Sequence, residues 1–434
     1  MRTFCFLLVL IALPVGCRID EDGDGWSPQQ GDCDDTDPDR HPGMEEACNR
    51  IDDDCDGTTD ESDDIDPLPP GTYGLEDAHA RIVADGIERL FGGVLLSTGD
   101  MTGDGADEFV TNAPCYGCLG LHAAGFCPGE FGASDRYAEF GSQTSGYYGH
   151  LGDVDGDGRN DATLAGAIYL SPLYGLQSEP DYYAGSATSM QAADLDRDGH
   201  PDLIVGSTFS GEVRFHRGPF NDGDLGPAVS VQGYAFGDGL AVLPAHEPPV
   251  TLISTGSAVR AVLGLPTEDQ EGGEPLNLTP LFGPDAVYVG KGLASDGFDR
   301  ICVGTDGSHP PLVVCGTLAE LEGGAPELVI EPRAGTETGN LGPAISMTRD
   351  LVAVGHAFAT VDSDAGAGLV YVRGDAGAWD FEWDGPTDVP GLGRAVALLR
   401  DPVARVTWLA ASAPRAGDGG IIYLFALDVP PTME

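Results

Sequence analysis

The sequence predicts an all-β chain: a seven-bladed β-propeller preceded by a small acidic, Asp/Cys-rich module. Three observations carry that prediction. Gly 64 and Pro 32 among 434 residues punctuate the chain too often for long helices and suit short strands joined by turns. An aromatic-or-Leu plus Gly dipeptide recurs roughly every 50 residues, which is blade length. It stands at Phe91-Gly92, Phe140-Gly141, Phe236-Gly237, Phe282-Gly283, Leu341-Gly342 and Leu392-Gly393. Ala184-Gly185 halves the one double-length gap, giving seven units. Finally, no unit holds a sustained 3.6-residue period. Hydrophobic residues make up 41% of the chain, enough for a core.

Taken in order, residues 1–17 read as an export signal. Met1-Arg2 precedes an apolar run, Phe4 to Val15, too short to span a bilayer as a helix. The run ends Leu13-Pro14-Val15-Gly16-Cys17. This resembles the lipobox of bacterial lipoproteins, with Pro14 where that family usually has Leu. The resemblance implies lipidation of Cys17 and anchoring to the outer membrane or cell surface; ordinary secretion or a periplasmic location is the alternative. No second run of about 18 apolar residues follows that could span a membrane.

Residues 18–66 carry 20 acidic and 3 basic side chains. Asp20, Asp22 and Asp24 alternate ahead of Gly25, and Asp52, Asp54 and Asp56 ahead of Gly57, with Asp60 beyond. Alternating Asp followed by Gly lets a tight backbone converge several carboxylates on one cation. Cys33, Cys48 and Cys55 are interspersed. The segment resembles the metal-binding repeat named for MopE-type copper proteins, and is similar to thrombospondin calcium repeats. Copper favours imidazole and soft sulfur, and His41 is the segment's one histidine; calcium is therefore the expected ion. A solvating acidic spacer is the bland alternative. Pro67 to Gly71 reads as a linker, residues 67–71.

Residues 72–434 hold the repeats. Several units share one order: dipeptide, acidic loop, an apolar strand such as Asp202 to Gly206, then a strand such as Gly211 to Phe215. The units look like FG-GAP repeats, the blades of the integrin α propeller and of many bacterial surface proteins. That resemblance covers most of 72–427, is clearest in units 1 to 3 and faintest in 4 and 5. It implies four-stranded blades around a central axis. The chain ends one strand short of a full last blade, and Ala80 to Ala84 can supply that strand and close the ring.

Three loops fit D-x-[DNT]-x-D-G-x-x-[DE]. They offer Asp100, Thr102, Asp104 and Glu108; Asp153, Asp155, Asp157 and Asp161; and Asp194, Asp196, Asp198 and Asp202. The carbonyls of Ala106, Arg159 and His200 are expected to add a further oxygen. A two-residue hairpin needs only Asp-Gly, so the extra carboxylates point to a cation, calcium first. These are not EF-hands: the twelfth-position Glu is missing and the flanks are strand-like. They match the hairpin calcium loops of integrin-type blades. Thr102 and Glu108 should make the first site the weakest. In unit 5, Asp296-Gly297 survives but Arg300 displaces the ninth ligand, so no metal is expected there.

A net charge of −50, with Lys291 as the lone lysine, argues against nucleic acid as a partner. No HExxH, GxSxG or Lys-bearing phosphate loop appears, so no catalytic residue is assigned. Arg373-Gly374-Asp375 reads as a blade turn. Cys302 and Cys315 lie on neighbouring strand-like runs, where a disulfide is expected; the partners of Cys33, Cys48, Cys55, Cys115, Cys118 and Cys127 stay open. The favoured function is a calcium-binding extracytoplasmic propeller for recognition or adhesion, its protein or glycan ligand unidentified. A polymer-acting enzyme with its site on the propeller face and a purely structural envelope lipoprotein are the alternatives.

Overall fold

The structure is a computed structural model. It describes residues 20–44, 52–55, 57, 65–84, 91–103, 105–112, 119–122, 128–136, 138–140, 148–164, 166–171, 175–177, 179–220, 224–233, 239–255, 258–271, 273–282, 289–305, 312–333, 336, 340–357, 359, 368–374, 380–386, 389–402, 404–417 and 419–429. The chain divides into two units, Met1–Glu61 and Ser62–Glu434. Cys17, Asp56, Asp60, Asp104, Asp375, Cys48, Cys115, Cys118 and Cys127 lie outside the described residues.

The second unit is a seven-bladed propeller of seven sheets. The innermost strands of blades 1 to 7 are Leu95–Gly99, Tyr148–Gly152, Ser189–Ala193, Leu240–Leu243, Val289–Ser295, Asn340–Met347 and Val396–Asp401. Each touches the next, and the last touches the first, so the ring is closed. The final blade has three strands of its own, Val396–Asp401, Val406–Ala413 and Ile421–Leu427, and takes its fourth from Ala80–Val83. That strand pairs antiparallel with Ile421–Leu427, matching Ala80 to Leu424 and Val83 to Ile421. Residues 67–71, read above as a linker, join the propeller: Leu68 bridges Leu427, and Gly71–Tyr73 pairs parallel with Asp380–Asp384.

That parallel strand is one instance of a repeated device. The connection leading into a blade's fourth strand lays a parallel strand on the outer edge of the preceding blade. Gly129–Gly132 does so on Ala80–Val83, Gly175–Gln177 on Ala138–Phe140, and Gln270–Glu271 on Ala228–Gln232. The pairing covers edges that would otherwise present open hydrogen-bonding groups.

The second strands of blades 3, 4, 6 and 7, Asp202–Ser207, Val250–Ser254, Leu351–Ala357 and Val406–Ala413, are buried along their whole length. Each lies between two neighbouring blades, so these stretches read as apolar runs instead of alternating. The recurring dipeptide also has a packing reason. Phe91 is fully buried between blades 7 and 1. Gly92, at φ +77°, sits where a Cβ would fall 2.9 Å from Ser412 Cβ. Gly185 repeats the conformation at φ +80° and Gly393 at φ +75°, each a few residues ahead of the first strand of its blade. Cys302 and Cys315 face one another across Arg300–Thr305 and Val313–Thr317 in blade 5 and form the expected disulfide.

Candidate metal centres

Blades 1, 2 and 3 pass from first to second strand through the acidic loops. In blade 2 the loop folds around its own carboxylates. Asp153 accepts the Gly156 N–H at 2.6 Å on one oxygen and the Gly158 N–H at 2.9 Å on the other. Asp155 accepts the Asp157 N–H at 3.0 Å, and Asp157 the Arg159 N–H at 2.8 Å. Asp161, at the start of the second strand, reaches back to the Val154 N–H at 2.7 Å. Its other oxygen takes the Ser171 N–H at 2.9 Å, from beyond the third strand.

Blade 3 repeats this net. Gly199 donates to Asp194 at 2.9 Å, Asp198 to Asp196 at 3.2 Å and His200 to Asp198 at 3.0 Å. Asp202 takes the Leu195 N–H at 2.9 Å and the Gly218 N–H at 3.0 Å. Ser171 and Gly218 thus occupy the same place in their blades. Sequence reading missed both, because a backbone N–H offered from another strand leaves no residue signature.

The nets orient the carboxylates without neutralising them. Oxygens of Asp153, Asp155 and Asp161 lie within 4.8 Å of one another, as do those of Asp194, Asp196 and Asp202. Asp161 and Asp202 are buried. Burial, reinforced by Asp155 and Asp153, pushes the Asp161 carboxyl up to about 7. Burial also raises Asp202, with Asp196 and Asp198 adding to the effect, and it raises Asp155 beside Asp157 and Asp153. Three anionic groups that close repel by about 1 kcal/mol per pair at 4 Å even at water's dielectric. An all-oxygen donor set of this kind fits a hard cation such as calcium.

Blade 1 differs. Asp100 keeps its bonds, to Gly103 N–H at 2.5 Å and Gly105 N–H at 3.0 Å. Fully buried Glu108 takes the place of the ninth-position Asp and accepts the Met101 N–H at 2.6 Å, the Thr102 N–H at 3.2 Å and the Thr102 hydroxyl at 3.2 Å. Thr102 thus adds a side-chain donor to a carboxylate position that in blades 2 and 3 takes backbone N–H donors. The neighbouring Asp107 is turned away, clamped by the Arg400 guanidinium of blade 7 at 3.1 Å. Blade 5 shows a further variant: Asp296 caps its own turn, accepting the Phe298 N–H at 2.8 Å and the Arg300 N–H at 3.1 Å.

Comparison with known proteins follows the same geography. Blade 3 matches the FG-GAP repeat model. The match covers residues 186–227. The chain is also similar to human integrin alpha-IIb, at 28% identity over 32% of this chain. That alignment spans only 16% of the integrin chain. Residues 32–61 match the model of a metal-binding motif named for MopE-type copper binding. This is the region of the Cys33–Cys55 disulfide, which settles one of the cysteine pairings left open above. Two disulfides among the described residues fit an oxidising, extracytoplasmic compartment.

Other expected features are also located. Arg373 lies within the strand Leu369–Gly374, with its guanidinium over the Tyr371 ring and donating to the Phe381 carbonyl at 2.8 Å. It is thus engaged within its own blade. Among the described residues, no helix is long and apolar enough to cross a membrane.

Proposed function

We propose that this protein is a calcium-stabilised recognition or adhesion module, exported and held at the cell surface through a lipid on Cys17. The observation that carries the reading is the repeated carboxylate net of blades 2 and 3, with its buried and electrostatically frustrated Asp161 and Asp202. Calcium would complete each net, lock the hairpin, and stiffen the strands that flank it. A rigid, closed ring then presents the opposite face, built from the turns between second and third strands, to a protein or glycan. Phe209, 81% exposed on that turn of blade 3, is a ready apolar contact. Similarity to an integrin α chain supports binding over catalysis, and the acidic surface disfavours nucleic acid.

The test is retention of extracellular proteins and glycans on the immobilised mature chain. Retention in calcium, weakened by chelator and by Phe209→Ala without loss of melting temperature, is expected. Turnover of a retained polysaccharide would make the protein an enzyme instead. Absence of any retained ligand, or retention indifferent to Phe209, would contradict the proposed face.

A further inference from the structure

The acidic loops of blades 1 and 2 do not stand apart. The Asn160 N–H donates to the Asp100 carbonyl at 3.0 Å. Asn160 is the eighth residue of the blade 2 loop, and Asp100 is the first of the blade 1 loop. The two segments also meet closely. A Cβ at Gly99 would overlap the Asn160 amide, and a Cβ at Gly103 would fall 2.8 Å from Arg159 Nε. Positions seven and eight of one loop are therefore seated on the backbone of the other.

The hydrogen bond belongs to a particular peptide unit. Its N–H is that of position eight, and its carbonyl is that of position seven, Arg159, which the loop pattern offers to the ion. In a trans peptide the C=O and N–H point in opposite directions. A cation drawing on the carbonyl would polarise the unit and strengthen the N–H bond to blade 1. Asn160 is held from its own blade as well. The Ser171 hydroxyl donates to the Asn160 carbonyl, and the Ser171 N–H to Asp161 at 2.9 Å.

Position eight serves the same end in blade 1. Asp107 donates its N–H to the Arg400 carbonyl of blade 7 at 2.8 Å, and its carboxylate accepts the Arg400 N–H at 2.8 Å. Contacts at this position thus run from a loop to the preceding blade, 2 to 1 and 1 to 7. Blade 3 breaks the series. Its eighth residue is Pro201, which has no N–H, so the bond to Asp153 that would join loops 3 and 2 cannot form. The blade 3 loop nonetheless keeps its own net, with Gly199 donating to Asp194 and Leu195 to Asp202. A proline at position eight is therefore compatible with the fold of the loop.

We propose that Asn160 couples the acidic loops of blades 2 and 1. A cation held by Asp153, Asp155, Asp157 and Asp161 orders the blade 1 loop through the bond from Asn160 to Asp100, and Pro201 isolates the blade 3 loop from this effect. The proposal rests on the calcium reading above and adds to it a direction in which order travels. Coupling of this kind is reciprocal, so order in the blade 1 loop also favours the ion in blade 2. The blade 1 loop, with Thr102 where the other two have Asp, gains from its neighbour an order that its own side chains supply less well.

The test is amide hydrogen exchange by mass spectrometry on the whole mature chain, in calcium chloride and in excess chelator. In the wild type, calcium should slow exchange in peptides covering residues 100–109, 153–161 and 194–202. Asp153→Asn should abolish the slowing in 153–161 and cut that in 100–109 at least about fivefold, whereas Asp194→Asn should affect 194–202 alone. Asn160→Pro, which gives blade 2 the residue that blade 3 already carries, should keep the slowing in 153–161 and cut that in 100–109 by a like factor. Asn160→Ala, which keeps the N–H, should match the wild type. Full calcium protection of 100–109 in Asp153→Asn or in Asn160→Pro would overturn the coupling and leave the calcium reading standing. Slowing in none of the three stretches would overturn both.

Discussion

Blades 2 and 6 share a fold and solve its hardest turn in opposite ways. In blade 2 the turn from first to second strand gathers Asp153, Asp155 and Asp161 and leaves their charge unmatched. In blade 6 the same turn is closed by Thr348, which accepts the Leu351 N–H at 3.2 Å. The packing differs as well. Met101, Val110, Leu121, Ala162 and Leu164 build the contact between blades 1 and 2, whereas Phe381 and Trp383 of blade 6 meet Phe425 of blade 7. The Trp383 and Phe425 rings lie 5.0 Å apart. Blade 2 thus gathers carboxylates at a turn that blade 6 closes with a hydroxyl, and the contact between blades 6 and 7 packs aromatic rings together.

The comparison breaks most visibly on the aromatic side. Trp383→Ala should cost about 3–5 kcal/mol by transfer and cavity terms, equally in calcium and in chelator, as read by chemical denaturation. Trp383→Phe should cost far less, since the buried indole N–H has no hydrogen-bond acceptor.

The second prediction concerns acid. His356 in blade 6 is buried with neither ring nitrogen hydrogen-bonded, and burial lowers its pKa to about 4. A folded-state value depressed below the unfolded 6.5 means that the unfolded chain binds the proton more readily. Stability is therefore whole above about pH 6.5 and is lost as pH falls toward 4, by about 3 kcal/mol at most. His356→Leu should flatten that decline in denaturation curves taken between pH 7 and 4.

On the ionic side, calcium at about 100 times its dissociation constant should add about 2.7 kcal/mol per site. Asp153→Ala and Asp194→Ala should each remove one such increment from the thermal midpoint shift, and Asp296→Ala none. Proton competition sharpens this. Because Asp161 protonates near pH 7 in the ion-free loop, calcium affinity in blade 2 should fall about tenfold per pH unit below 7. The sign is opposite to that of His356: ion-free blade 2 gains stability as pH falls, since its protonated form is favoured by folding.

The smallest effect separates blades 2 and 3. Arg217 lies against Asp196 and, at 3.3 Å, Asp198. It is 62% exposed, so as a tethered competitor it is worth under about 1 kcal/mol. Arg217→Ala should tighten calcium at blade 3 a few-fold and leave blade 2 unchanged, by titration.

Much of this was legible in the sequence. The Phe-Gly spacing counts blades because Phe91 and Gly92 must fit between two of them, and the D-x-D-x-D-G loops announce converging carboxylates. Ala80 to Val83 could be assigned to the last blade because that blade was one strand short. Other features had no local signal. Gly175–Gln177 becomes a strand only because the edge of blade 1 lies beside it. The partners of Asp161 and Asp202 are backbone N–H groups, which any residue can offer.

Calcium stoichiometry tests the central claim most directly. Titration calorimetry of the mature wild-type chain and of Asp153→Ala/Asp194→Ala should differ by two calcium ions, and calcium should raise the thermal midpoint of the wild type by more than that of the variant. Equal stoichiometry in the two proteins, with midpoints that calcium moves equally or not at all, would contradict the account.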